Sequence, residues 1–512
     1  MPATSYAKIV CTESSVNTAL GTGGGYIFDS DHTNSSWTSA ISSDIVWDSS
    51  AGTITFNSTG IYHVVANLVT ETASGLCTHI IAFILNSTTV YGGYALVPPA
   101  YDPLTHAHQR IISVSAGDVL HVKGTASVST FGVNAGSSLV INKITSGVYA
   151  SSTVSTAGEN NTTSEFNPLD IDGDGPAYGS AYKIASGITF SDTAGSFTVP
   201  SAGRYLIMVN NLIGATNSTN SNVTIHIKSG SDELYTIDTR NHSTLDAEET
   251  TVCLVEDLAA EAVLTMTWDT GSGDCHAGLG TTFTVYKLNE DLEDQPGGGN
   301  INSASICVVS KATSTATADE FNGFDEDNYS SADFDTRYSN GIAFTASTGN
   351  FTVPTKGLYW VLYSAQIKTA SDATVSQRVK LNGSLTDAVA AVHLDTLNDP
   401  MNRSFCTIIS CAAGDVITTT LDSNSPNITQ EPGSSLTIIR IPDWVLLESA
   451  PAGLIGDDFV INSFSQDNLS AQHDRNIDQV PFTLGVPGPM SLRGRDGSVV
   501  VASLGKRSKL KN

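Results

Sequence analysis

A single phrase occurs three times along this chain and limits what the chain can fold into. Its fuller copies are Gly195-Ser196-Phe197-Thr198-Val199-Pro200-Ser201-Ala202-Gly203-Arg204-Tyr205 and Gly349-Asn350-Phe351-Thr352-Val353-Pro354-Thr355-Lys356-Gly357-Leu358-Tyr359. A looser copy, Thr53-Ile54-Thr55-Phe56-Asn57-Ser58-Thr59-Gly60-Ile61-Tyr62, lacks the proline. Apolar runs of strand character follow, at His63 to Leu68, Leu206 to Ile213 and Trp360 to Ile367. Two landmarks keep register between the first and third copies. Gly117-Asp118-Val119 and Gly414-Asp415-Val416 each stand 57 residues after the glycine of the phrase, and a Gly-Ser-Ser-Leu at 136 and 433 follows 19 later. The middle copy has drifted. Its last strand opens at Gly280, 77 residues after Gly203 rather than 76, and Glu261-Ala262 replaces the Gly-Asp step.

The phrase has a physical reading. Phe-Thr-Val-Pro predicts a strand that proline ends, because proline cannot donate into a sheet interior. The glycine supplies a turn, and Gly-x-Tyr begins the next strand, with the tyrosine free to anchor a core. This reads as a hairpin. Short strands with turn signals every ~8–12 residues mark a sandwich or barrel. Only Leu258 to Val263 is expected to make a helical turn. Each copy of ~140 residues is long enough for its own core. The expected fold class is all-β, three tandem β-sandwich or barrel domains plus an extended C-terminal tail; the resemblance described next makes these jelly-roll β-sandwiches. The boundaries are 1–147, 148–288, an acidic Gly-rich linker at 289–300, 301–441, and a tail at 442–512 expected to serve anchoring or assembly.

At Phe190 through Tyr205 and Phe344 through Tyr359 the chain resembles the complement component 1q globular head and tumour-necrosis-factor superfamily. Phe56 and Gly60-Ile61-Tyr62 match in part, and the Gly-Asp-Val and Gly-Ser-Ser-Leu segments fit that family's last strands. The likeness covers about 1–441 and leaves the tail aside. It implies ten-stranded, TNF-like jelly rolls packed as a trimer around a three-fold axis, which bind proteins, sugars or charged surfaces without catalysis. Two arrangements follow: an intrachain pseudo-trimer, or a string of three domains each trimerising with copies in other chains to form a homotrimer. At ~3.3 Å per residue the second linker can reach ~40 Å, enough to pass around an axis; the first, Thr145-Ser146-Gly147, is tight.

Composition excludes some partners. The net charge is −27, from 51 acidic and 24 basic residues. Such a body repels nucleic acid phosphates. Residues 489–512 run the other way, carrying Arg493, Arg495, Lys506, Arg507, Lys509 and Lys511, the candidate assembly residues, against one acid, Asp496. No apolar run reaches ~18 residues, so no membrane insertion is expected. The start, Met1 to Tyr6, carries no signal-peptide pattern. The seven cysteines show no metal-ligand spacing and read as buried thiols.

Individual sites are sparse. Asp170, Asp172 and Asp174 alternate with Gly173 and Gly175 as a calcium loop would, although a distal Glu is missing and a solvated acidic loop fits equally. Asp29 with Asp31, and Asp325 to Asp327, recur at similar places. No cofactor is required by this reading, calcium being the one candidate. His106 and His108 would share one face of a strand, with no third ligand nearby. Trp37, Trp47, Tyr91, Tyr94 and Tyr101 would suit sugar contact if exposed on loops, or core packing otherwise. In the tail, glycines at 485, 488, 494 and 497 share a collagen-like period broken at Ser491, against which extended coil or turns stand as the alternative. Ser498 to Leu504 reads as one β-strand able to add to a neighbour's sheet. Gly60, Tyr62, Gly203, Tyr205, Gly357 and Tyr359 are the fold landmarks.

The function expected from these readings is that of a non-enzymatic virion structural protein, a capsid decoration, spike or fibre protein. It would be made in the host cytoplasm and displayed on the virion surface. Its partners would be other virion or surface proteins, and cell-surface glycans or receptors. An extracellular lectin-like adhesin and a polysaccharide-degrading enzyme are the alternatives.

Overall fold

Both faces of the longest strands are apolar. In Gly357–Thr369, Tyr359, Val361, Tyr363, Ala365 and Ile367 enter one buried cluster, while Leu358, Trp360 and Leu362 enter another. A strand apolar on both sides must be covered on both sides. The computed structural model describes residues 5–12, 24–29, 36–72, 77–97, 104–126, 131–144, 147–154, 165–170, 182–215, 221–241, 248–270, 275–278, 280–288, 306–311, 315–317, 320–325, 334–369, 373–394, 401–423, 428–441, 483–484, 488–493, 499–504 and 508–509.

The fold is three tandem jelly-roll sandwiches. Each is built from two antiparallel sheets whose strand order interleaves distant segments. In domain 1 the inner sheet runs Phe131–Val133, Gly60–Thr72, Ser138–Ile144, Tyr6–Cys11, Trp37–Ile41, with Leu104–Val114 also on Gly60–Thr72. Its outer sheet runs Ile45–Asp48, Thr53–Phe56, Val119–Ala126, Cys77–Leu85, Thr88–Val97, with Gly25–Tyr26 on Val119–Ala126. Domain 2 repeats this between Tyr149 and Lys287, and domain 3 between Ile306 and Ile441. Short added strands bring each sheet to six strands or seven, more than the ten per domain that the family likeness implies.

The repeated phrase is not a hairpin. Ser196–Thr198 pairs with Val263–Asp269 in the outer sheet, whereas Gly203–Ala215 pairs with Thr282–Lys287 and Glu248–Leu258 in the inner one. The same division holds at Asn350–Thr352 and Gly357–Thr369. The phrase is therefore the corner where the chain crosses between sheets. Proline ends the outer strand, and the tyrosine ties the corner. Tyr62, Tyr205 and Tyr359 are fully buried, and each hydroxyl donates to the carbonyl four residues back: to Ser58 at 3.1 Å, Ser201 at 2.8 Å and Thr355 at 2.8 Å. This is a tyrosine-corner bond of the kind found in other sandwiches.

The Gly-Asp-Val landmark is a clamp. Asp118 accepts from the Ser115 amide at 2.7 Å and from Asn86 Nδ2 at 2.7 Å, and Asn86 Oδ1 accepts from the Val119 amide at 2.9 Å. Asp415, Ala412, Asn382 and Val416 reproduce the set. These bonds hold both carboxyls below the usual carboxylate range. Domain 2 has lost both clamp partners together: Gly230 replaces the asparagine and Ala262 the aspartate. Glu261 then stands where domains 1 and 3 have Gly117 and Gly414. Its amide donates to Val199 O at 2.9 Å as theirs do to Phe56 O and Val353 O, and it keeps their left-handed backbone with φ 62°. No helical turn forms at Leu258 to Val263; a turn joins the end of one strand to the start of the next.

Residues 293–301 and 446–512 form a unit separate from 1–292 and 302–445. In the tail, Gly488–Arg493 is a β-strand paired antiparallel with Val499–Leu504. The triplet glycines therefore do not wind a collagen-like helix at 488–493. The strand expected over Ser498 to Leu504 is seen at Val499–Leu504, Ser498 lying outside the described residues, and it finds its partner within the tail.

Left-handed backbone costs a non-glycine residue ~1–2 kcal/mol, part of which glycine returns through its freer unfolded state. Glu261→Gly should therefore raise stability by about 1 kcal/mol in urea denaturation. Gly414→Ala should lower it by a similar amount; a Cβ there meets nothing within 4 Å, so the loss reports backbone strain alone.

Candidate functional site

The outer faces of the three inner sheets meet in a fourth core. It gathers Tyr6, Val65, Ile111 and Val140 of domain 1, Leu206, Met208, Cys253 and Tyr286 of domain 2, and Leu358, Trp360, Leu362 and Cys406 of domain 3. Register relates these residues by position. Val65 pairs with Gln109, Met208 with Cys253, and Leu362 with Cys406, so these six occupy equivalent places in the three domains. His63, Leu206 and Trp360 form the equivalent layer next to them, and Ala107, Thr251 and Ser404 the layer beyond.

The contacts run in one direction around a ring. The edge strand Thr88–Val97 of domain 1 lies against Glu248–Leu258 of domain 2. Asp232–Asn241 of domain 2 lies against Met401–Cys411 of domain 3, and Ser384–Leu394 of domain 3 against Leu104–Val114 of domain 1. Ring closure also covers the exposed edges that would otherwise template aggregation. Domain 2 follows domain 1 through a short connection because Ile144 and Tyr149, on either side of it, both reach this core.

Polar bonds fix the ring at each joint. Asn67 Nδ2 donates to Cys406 O at 2.9 Å, and the Cys406 amide donates to Asn67 Oδ1 at 3.4 Å. Lys8 Nζ donates to Ile408 O at 2.7 Å. Thr251 Oγ1 donates to Ala107 O at 3.2 Å, and Ser404 Oγ donates to Thr251 O. Between domains 2 and 3, Gln366 Nε2 donates to Asp238 O at 2.9 Å and Tyr235 OH to Gly433 O.

At the axis lies a cavity of about 20 Å³, enough for roughly one water, lined by Val65, Met208, Leu362, Gln109, Cys253 and Cys406. Burial raises the Cys253 thiol and the Tyr286 hydroxyl well above their ordinary values. It pushes the Cys406 thiol up to about 11, against the opposing pull of hydrogen bonds from Trp360 and Asn67. These thiols are neutral and shielded, a poor setting for a nucleophile.

The other candidate residues are scattered. Asp170 closes a turn, its amide donating to Asn167 O at 3.2 Å, and the Asp325 amide repeats this on Asn322 O at 3.1 Å. Asp172 and Asp174 lie outside the described residues, and among those described no three His, Cys, Asp or Glu gather for a metal. His106 and His108 lie in Leu104–Val114, in register with Leu68 and Ala66. Trp37 and Trp47 pack against the domain 1 core, with Trp47 Nε1 donating to Phe28 O at 3.1 Å. Tyr91 and Tyr94 lie in Thr88–Val97, and Tyr101 is outside the described residues. Of the basic tail residues, Arg493 and Lys509 fall in strands, and Arg495, Lys506, Arg507 and Lys511 lie outside the described residues. The axial residues carried no motif; their one sequence signal was apolar character on both faces of the long strands.

The outward sheets differ between copies. Domain 2 presents Thr224, His226 and Lys228, with Lys228 bonded to Glu165 at 2.6 Å. Domain 3 presents Ser376, Arg378 and Lys380, with Arg378 bonded to Asp422 at 2.7 Å and Lys380 to Glu320. Domain 1 has Ile80, Ala82 and Ile84 in the same register.

No protein-family model matches the chain, and no curated protein matches it. Solved structures do. An Eiger TNF structure from S. frugiperda shares 13% identity over 27% of this chain and 93% of its own, at a TM-score of 0.21. Murine APRIL at pH 5.0 shares 14% identity over 27% of this chain and 99% of its own, at 0.21.

Truncating Asn67 strands the amide and carbonyl of Cys406 in a buried setting. Asn67→Ala should cost about 2–3 kcal/mol in chemical denaturation, more than an exposed hydrogen bond is worth.

Proposed function

We propose that this chain is a non-enzymatic display and assembly protein that builds from one polypeptide the three-domain ring that single jelly rolls of the resembled family build from three chains. The observation carrying this reading is the fourth core. Residues that would form an oligomer interface in a single domain are already buried against the chain's own other domains, so no second copy is needed to cover them. The inner faces assemble; the outer sheets and loops are left for partners. Because Ile84 occupies the position of the paired Lys228 and Lys380, and Ala82 that of the paired Arg378, the three outer faces would not serve the same partner.

Within this class we assign the chain to a virion, as a decoration, spike or fibre protein. The tail, through its basic last segment at 489–512, would attach it to the particle while the acidic body faces outward. Charge separation of this kind favours docking of the tail on an acidic partner and keeps the bodies apart.

Mass photometry of the full chain should give a single species at the monomer mass of 53.6 kDa; a species three times heavier at nanomolar concentration would refute the single-chain ring. Cutting the chain after Ile441 should leave a folded, soluble body that no longer joins particles. Retained particle incorporation by that truncated body would remove the tail from its proposed role.

A further inference from the structure

One residue of the axial core does not match its counterparts chemically. Where domain 2 has Leu206 and domain 3 has Trp360, domain 1 has His63, 1% exposed. Its Nε2 lies 3.3 Å from Gln109 Oε1, and its Nδ1 has no hydrogen-bond partner among the described residues. Tyr286 of domain 2 and Trp360 of domain 3 stand over it, with ring centroids at 6.1 and 5.4 Å. The other titratable groups near the axis are Cys253 on Glu248–Leu258, Cys406 on Met401–Cys411, and Lys8 and Tyr6 on Tyr6–Cys11. The thiols and phenols are neutral, Lys8 is a cation, and no carboxylate acts on the imidazole.

We infer that His63 makes closure of the ring acid-sensitive: on taking up a proton it opens the axial core and separates domain 1 from domains 2 and 3. The position of the residue decides that the ring opens rather than the domain unfolding. His63 points away from its own sandwich core, so parting the domains brings it into water while Tyr62 and Val64, on the other face of the same strand, stay buried. A buried imidazolium with no counter-charge is costly, and water at the opened face removes that cost.

The sign follows from burial, which holds the imidazole down to about 3 in the closed ring against 6.5 in water. The open form therefore binds the proton more tightly. Closure is unaffected above about pH 6.5 and weakens as pH falls from there towards 3. Between pH 7.5 and pH 5.0 the opening equilibrium should rise about 30-fold.

Cys253 and Cys406 report opening, because they line the axis, whereas Cys411 sits in the sandwich core of domain 3 and reports unfolding. The test is labelling of the full chain with a dithiodipyridine reagent at pH 7.5 and 5.0, normalised to a cysteine peptide and resolved by mass spectrometry. The expected result is a rise of about 30-fold at Cys253 and Cys406 at pH 5.0, with Cys411 lagging. His63→Leu, which installs the residue found at 206, should abolish the rise. His63→Gln, which does not titrate but keeps a hydrogen-bonding side chain, should do the same and covers the case in which leucine prevents folding. An equal rise in the variants, or Cys411 labelling in step with the other two, overturns the inference. Fast labelling of Cys253 and Cys406 at pH 7.5 in every protein would instead show an open ring, overturning the single-chain ring and this inference together.

Discussion

The apolar contact among three inner sheets is the constraint on which the body of this protein depends. Val65, Met208 and Leu362 lie on sheet faces that a lone jelly roll would present to water. Burying a side chain of this size stabilises by roughly 1.5–3 kcal/mol, and the cluster contains sixteen buried residues. Because the three domains are tethered, this core forms at the high effective concentration of a single chain and pays no association entropy. A ring of three separate subunits needs identical interfaces; a ring within one chain does not. His63, Leu206 and Trp360 in one layer, and Gln109, Cys253 and Cys406 in the next, are a divergence that symmetry would forbid.

Divergence is distributed unevenly because the constraints are local. The tyrosine corner is kept in all three domains, since losing its hydroxyl partner would leave a buried polar group unpaired. The Asn–Asp clamp is dispensable as a pair. Domain 2 has replaced both partners and tolerates a left-handed Glu261 in the bargain. On the outer faces, where packing sets few limits, Cys77–Leu85 of domain 1 carries Ala82 and Ile84 where the matching strand of domain 3 carries the paired Arg378 and Lys380, and that of domain 2 the paired Lys228.

Much of the fold was legible in the repeat. Equal spacing of Gly60 and Gly117, and of Gly357 and Gly414, places the same strands in the same order, and the buried tyrosines sit where the phrase puts them. What the repeat misreported was the corner. A strand, a turn and a strand look alike whether the second strand pairs with the first or crosses to another sheet, because the distinction rests on hydrogen bonds to segments 65 to 82 residues away. The tail misled for a related reason. A glycine every third residue permits several extended conformations, and the pairing of Gly488–Arg493 with Val499–Leu504 chose one of them.

The sequence by itself determined the all-β class and the tandem sandwich architecture, because those follow from period, spacing and turn chemistry within each copy. Only the tertiary structure decided that the copies face one another, which side chains meet at the axis, and that a histidine stands there without a counter-charge. Alternation along a strand says that both faces are covered, but not by what. The covering residues lie up to 400 positions apart, as Lys8 and Ile408 do, and no local pattern encodes a bond of that span.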